Sequence, residues 1–271
     1  MEPNDQQPQL RAMSFNIFNW DTSEAHLTRI VATVKQYMPD SIGFQEITLS
    51  WLNRLSERLP EYTCVGADRG DSTHERAAIM FRTDKFICLE SGTKWMSDTP
   101  DEPSKFEESG YNRVMSYAKL EERTSGKQVI HANLHLDLNV TANDKQVRVA
   151  VRILKEQFAE LPCILTGDFN SRYGTPSELP LTSVKAAGFF DSRDLAPIKL
   201  GDGSWHGRNC IETQKDDILD YVFVSDGITV EQHQFVQDRY TDGFPTDSKY
   251  EAINGGAPSD HNPVLMTYRL P

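Results

Sequence analysis

The chain has 271 residues, 38% of them hydrophobic and 25% charged, with a formal net charge of −12. This balance suits a globular protein that can bury its own core, and no apolar run is long enough to span a bilayer. The acidic charge, with no basic stripe, argues against a protein that grips long duplex nucleic acid through many phosphates. Cys64, Cys88, Cys163 and Cys210 are scattered without zinc-type spacing, so reduced, packed thiols are expected. Met1–Gln9 is polar and acidic, without a basic-then-apolar leader. These nine residues are expected to be flexible. The chain as written is expected to be cytoplasmic, or secreted or periplasmic if a leader has been removed.

Arg11–Phe18 reads as a strand, and 23–38 as a helix with Leu27, Ile30, Val31, Val34 and Met38 at helical spacing before Pro39. Ser41–Glu46 is a short buried strand ending in charge. A second helix carries Leu52, Leu55 and Leu59 on one stripe. The pattern then turns to strands: Tyr62–Val65, Ala77–Arg82, Phe86–Lys94, Val114–Glu121 and Gln128–Leu138. A long helix over Asn143–Glu160 has Val147, Ala150, Val151, Leu154 and Phe158 on its inner face. Pro162–Thr166, Ile218–Ser225 and Pro263–Arg269 complete the strands. Strands mixed with outer helices predict an α+β sandwich, two sheets inside and helices outside. No linker or repeat interrupts it, so residues 1–271 are expected to form one domain.

Polar residues recur at the ends of the apolar strands: Asn16, Glu46, His135, Asp137, Asp168, Asn170, Asp220, Asp260 and His261. Strand ends are where a layered fold can converge side chains on one mouth. In Gly167-Asp168-Phe169-Asn170 the two polar side chains are two residues apart and face the same way in extended chain. Asp168 could deprotonate a water and Asn170 could orient it, although an Asx turn would read identically. Asp220 lies inside ILDYVFVS, where an unpaired carboxylate is costly. A histidine ring is its natural partner, and His261 follows Asp260 just before the last strand. Glu46 is an oxygen ligand suited to a hard cation such as Mg2+, or else a charge favouring the helix that follows. Asn16 would hold that carboxylate or touch phosphate. No apolar loop of exposed aromatics stands out, so no membrane contact is expected. Lys94, Lys105 and Arg113 are expected near one anion-binding loop.

The blocks NIF, FQE, HLD, GDFN, LDYVFVS and SDH, in that order from about Leu10 to Tyr268, resemble the endonuclease/exonuclease/phosphatase (DNase-I-like) superfamily. GTKWMSDTP at Gly92–Pro100, followed by Tyr111-Asn112-Arg113, resembles a bacterial branch of it. The resemblance implies a four-layered α/β/β/α sandwich, a Mg2+ or Mn2+ cofactor and hydrolysis of a phosphate ester by an activated water. It implies a metal side of Asn16, Glu46 and Asp260, a catalytic set of His135, Asp168, Asn170, Asp220 and His261, and Glu75 as the support of His135. Arg113, Tyr111 and His206 would touch substrate, and the role of Asp137 stays open because the HLDL block lacks a histidine that relatives often carry there. Asp168 and His261 both remain candidates for the base. The expected partner is a small phosphate ester or a short nucleic acid, acted on by a monomer. The alternatives are a nuclease for short or single-stranded nucleic acid and a non-catalytic binding module on the same fold. The completeness of the polar set favours an enzyme.

Overall fold

The computed structural model describes residues 8–207, 217–240 and 256–271. Cys210 and most of Met1–Gln9 lie outside the described residues. The elements in chain order are β1 (Leu10–Asn16), α1 (Glu24–Tyr37), β2 (Ser41–Ile47), α2 (Leu49–Arg58), β3 (Tyr62–Val65), β4 (Arg76–Arg82), β5 (Phe86–Trp95), β6 (Val114–Glu122) and β7 (Gln128–His135). They continue with α3 (Val140–Phe158), β8 (Cys163–Asp168), α4 (Leu179–Ala186), β9 (Phe189–Asp191), α5 (Ser192–Leu195), β10 (Ile198–Leu200), β11 (Asp220–Ser225), β12 (Thr229–Phe235) and β13 (Val264–Arg269). They form a seven-stranded sheet, β10-β12-β13-β1-β2-β4-β3, and a six-stranded sheet, β5-β6-β7-β8-β11-β9.

Alternation along the strands builds the layers, because successive side chains point to opposite faces. Met13, Phe15, Ile42, Phe44 and Met80 face outward and pack with Leu27, Ile30, Val34, Trp51 and Leu55 of α1 and α2. Ala12, Ile79, Phe81, Met266 and Tyr268 face the six-stranded sheet, and α3 and α4 cover that sheet's far side through Val147, Ala150, Leu154 and Val184. The expected four-layered α/β/β/α sandwich is therefore the fold. Helices α1, α2 and α3 start where a side chain caps the first turn: Ser23 accepts from His26 N, Thr48 from Trp51 N, and Asn139 from Thr141 N and Ala142 N. Among the described residues no helix is long and apolar enough to cross a membrane. Cys64, Cys88 and Cys163 are free thiols.

The interface between the sheets is partly polar. Gln45 Nε2 donates to Asn133 Oδ1 at 2.7 Å, Thr166 Oγ1 donates to the same oxygen at 3.0 Å, and Asn133 Nδ2 donates to the Phe44 and Ala78 carbonyls at 2.8 and 2.9 Å. This network needs the sheets close together. A Cβ at Gly43 would collide with Thr166 Oγ1 and stand 2.5 Å from Asn133 Oδ1. It fixes the two sheets against each other directly beneath the ends of β1, β2, β7 and β8.

Several boundaries differ from the sequence reading. β1 stops at Asn16, because the Asn16 side chain accepts Phe18 N at 3.0 Å and Phe18 turns to φ 51°. β7 stops at His135, after which Asp137 N donates to Gln146 instead of to a strand. α4, β9, α5, β10 and β12 were not expected. β9, α5 and β10 span only three or four residues each. A bulge between Val230 and Gln232 interrupts the alternation of β12.

Candidate active site

Strand register assembles the centre. His135 of β7 pairs with Asp168 of β8, and Asp168 pairs with Asp220 of β11, so three adjacent strands end at one level. β1 and β2 end beside them from the other sheet. Asn16 Nδ2 spans the sheets, donating to Glu46 Oε1 at 3.2 Å and to Asp168 Oδ2 at 3.0 Å. Ser259 Oγ donates to the Asn16 carbonyl and accepts from His261 N, which ties the segment before β13 to the same point.

Each polar group is held by a specific partner. His261 Nδ1 lies 2.8 Å from Asp220 Oδ2, and its Nε2 lies 3.9 Å from Asp168 Oδ2 and 4.0 Å from Asp260 Oδ1. Burial works against a charged His261 ring. The charge and hydrogen bond of Asp220, with Asp260 and Asp168, outweigh it and hold the ring well above the usual histidine range. Asp168, 2% exposed, is pushed up to about 6 by burial and by the charge of Asp220. Its Oδ1 accepts Asn170 N at 2.9 Å. His135 Nε2 sits 3.3 Å from Asn170 Nδ2 and 3.6 Å from Asp168 Oδ2. Burial, then the charges of Arg113 and Arg69, keep His135 neutral. Asn170 is held at φ 48° with Nδ2 donating to the Leu136 carbonyl at 3.0 Å.

Glu46 is the one member of this centre with an unspent oxygen on a strongly shifted carboxyl. Its Oε2 is buried and has no hydrogen-bond partner. Burial, then the charges of Asp260 and Glu75, push it up to about 7. A divalent cation would satisfy that oxygen and reverse the shift, so the residues fit a hard metal on the Glu46 side. Asp168, Asp220 and His261 also offer ligand atoms within 4.8 Å of one another. There, however, the histidine already balances the carboxylates, and a metal would have to break the 2.8 Å bond. The Glu46 side, flanked by Asp260, is therefore the better cation site. The Asn16 oxygen already accepts Phe18 N, and its amide holds Glu46 and Asp168 in place.

These groups open on a cleft of about 580 Å³ whose walls include Glu46, His135, Asp168, Asn170 and His261. Asp220 and Asn16 stand behind that wall, each about 1% exposed. Arg113 lines the cleft at 6% exposure, and its Nε has no hydrogen-bond partner. Tyr111 lies on the rim under two guanidiniums, with Arg69 Cζ at 4.8 Å and Arg113 Cζ at 5.6 Å from the ring centre. Asp137 is buried and accepts from Ser109 Oγ, Gly110 N and Asn139 N. Its carboxylate thus pins the loop that carries Tyr111 and Arg113. Glu75 bonds Arg69 at 2.7 Å and Asn19 at 3.2 Å, and none of its hydrogen bonds or ion pairs goes to His135. His206 is buried beside the centre rather than in the cleft wall, and burial, then the charges of Arg239 and His261, push it down to about 4. Lys94 pairs with Asp101, and Lys105 donates to the Ser109 carbonyl, so neither is part of the wall.

Arg69, Arg172, Trp205 and Trp20 line the cleft and were not singled out as site residues from the sequence. Arg172 is held by Asp217 at 2.5 Å and lies over the Trp205 ring at 5.3 Å. Trp20 is 67% exposed and Leu138 75%, so the rim is more apolar than the sequence suggested. Arginines and tryptophans occur throughout the chain, and only their neighbours in space mark these. The one sequence signal was position: Arg172 follows GDFNS, and Trp205 precedes His206.

The sequence matches the family model described as "Endonuclease/Exonuclease/phosphatase family" over residues 13–261. It is similar to the structure of an endonuclease/exonuclease/phosphatase family protein from Bacteroides thetaiotaomicron, at 28% identity and a TM-score of 0.85, covering 98% of this chain and 99% of that one. It is also similar to a mannosyl-6-phosphatase of the same organism, at 29% identity and a TM-score of 0.83, covering 96% and 99%. An uncharacterized protein of Acanthamoeba polyphaga mimivirus is 25% identical over 226 residues, 77% of this chain and 81% of its own length. With its sheets, strand ends and matched segment in agreement, the chain belongs to the endonuclease/exonuclease/phosphatase family.

Proposed function

We propose that the protein is a divalent-cation-dependent hydrolase of a compact phosphate ester. Arg113 carries this reading: a buried guanidinium whose Nε is unpartnered, in the same cleft as Asp168, Asn170, His135 and His261. A buried guanidinium N–H without an acceptor is costly, and a phosphate oxygen is the partner a guanidinium suits best. The Bacteroides relative named a mannosyl-6-phosphatase supports a phosphate-ester substrate for the family member described here.

In this reading Asp168 is the base. Its carboxyl, pushed up to about 6, accepts a proton from water near neutral pH. Asn170, whose amide donates to the Leu136 carbonyl and faces His135, holds neutral His135 beside the water and the phosphate. His261 is protonated at rest, because Asp220 holds its ring. It therefore serves as a donor to phosphate or to the departing oxygen, not as the base. Mg2+ or Mn2+ at Glu46 would supply neutralisation of the charge that builds on the phosphoryl and leaving oxygens. Positioning and charge account for most of such a displacement.

Trp20 favours a second reading, hydrolysis of short single-stranded nucleic acid, since an exposed indole on the rim can stack a base. A panel of sugar phosphates, nucleotides, model diesters, single-stranded DNA and RNA, assayed with Mg2+ and Mn2+, tests both. Turnover of the small esters is expected to exceed that of the polymers. No turnover of any ester with either cation would refute the proposal.

A further inference from the structure

We propose that Arg69 and Arg113 together make the phosphoryl end of the cleft selective for a phosphomonoester over a phosphodiester. This rests on the phosphoesterase reading of the site and names its substrate class. Both arginines are buried, at 4% and 6% exposure, and both line the cleft. Both lie within cation–π distance of one ring, Tyr111, and the charge of Arg69 acts on Arg113. Arg69 is aimed by two carboxylates, with Nε 3.0 Å from Asp71 and Nη1 2.7 Å from Glu75. Among the described residues Arg113 has only Asp137 within ion-pair range, at 3.7 Å, and that carboxylate is already taken by Ser109, Gly110 and Asn139.

The wall is built in advance. Asn112 Nδ2 and Trp95 Nε1 both donate to the Arg69 carbonyl, and Asn112 N donates to Asp71. These bonds lock the loop before β4 to the loop before β6. His135 lines the same cleft and is held by the Asn170 amide, which also donates to the Leu136 carbonyl. A terminal phosphoryl group presents three non-bridging oxygens and about two negative charges near neutral pH. A diester presents two such oxygens and one charge, leaving part of this donor set unspent.

The leaving alcohol would lie along the rest of the same cleft, whose lining includes Trp20, Leu138, Arg172 and Trp205.

The test pairs p-nitrophenyl phosphate with p-nitrophenyl methyl phosphate in Mg2+, and compares inhibition by inorganic phosphate and by dimethyl phosphate. The protein is expected to turn over the monoester and to bind inorganic phosphate at least about tenfold tighter than dimethyl phosphate. Arg69→Gln and Arg113→Gln should each lower kcat/KM for the monoester about tenfold or more, and for the diester by a clearly smaller factor. Arg69→Lys, which keeps the charge, should recover part of the loss and guards against a folding defect in the glutamine variant. Equal use of both esters, equal inhibition by both anions, or equal losses on both esters in the variants would overturn the selectivity. Hydrolysis of neither ester, or of anything else in the wider panel, would instead overturn the phosphoesterase reading beneath it.

Discussion

Asp220 Oδ2 and His261 Nδ1 lie 2.8 Å apart, both buried, and join β11 to the segment before β13. The charge and hydrogen bond of Asp220 hold the His261 ring well above the usual histidine range. Asp220→Asn is expected to cost much of the activity while the fold survives, since an amide cannot stabilise the imidazolium in the same way. His261→Ala should cost roughly 10² to 10⁴ in rate. The double variant should be little worse than His261→Ala alone, because residues that act as a unit are not additive. Steady-state kinetics of the four proteins decides it, and losses that multiply would show two independent roles.

Glu46 links metal, pH and stability. Its carboxyl is raised to about 7 in the folded chain, above an ordinary value of 4.5. The folded state thus favours the protonated form. The contribution is fully present below the unfolded value and is lost as pH rises through the folded one. Without metal, Glu46→Gln should therefore melt higher than the unaltered protein at about pH 8, with the difference vanishing towards about pH 4. Mg2+ should raise the melting temperature of the unaltered protein more at about pH 8 than at about pH 5, because the ionised carboxylate is the ligand form. Hydrolysis should stop in excess chelator and return with Mg2+ or Mn2+. Full activity in chelator would contradict this assignment of the cation.

Gly43 sits where β2 meets Thr166 and Asn133 of the other sheet. Gly43→Ala forces a methyl group into that contact and should destabilise by about 1–3 kcal/mol. For a chain of this size that is a fall in Tm of very roughly 2–10 °C. Activity should fall with it, because the same network fixes the strand ends of the site. A melting curve superimposable on that of the unaltered protein would show that the sheets are not held together at this point.

Binding of oligonucleotides should depend weakly on salt. The chain carries a net charge of −12, and its cleft arginines lie among carboxylates. A slope of log affinity against log salt equivalent to roughly six or more released counterions would reveal an extended phosphate track.

Some of this was legible from the order of residues alone. Alternating apolar residues marked most strands, and polar residues at their ends marked Asn16, Glu46, His135, Asp168, Asn170, Asp220 and His261. Both signals are local, because the chain's own period of two decides which side chains share a face. The carboxylate in ILDYVFVS was likewise readable as needing a partner, since burial penalises a lone charge whatever the fold. Register lay beyond that reach. Only the pairing of β7, β8 and β11 brings His135, Asp168 and Asp220 to one level. Only tertiary packing turns Asp137 into the anchor of the loop before β6, and only the fold of the loop before β4 gives Glu75 to Arg69. Among the arginines of this sequence nothing local distinguishes Arg69 from one on the surface. Its burial beside Arg113 comes from residues far away in the chain, Tyr111 and Asn112 among them. A contact between distant segments depends on loop closure and packing, and neither is written in the residues immediately around it.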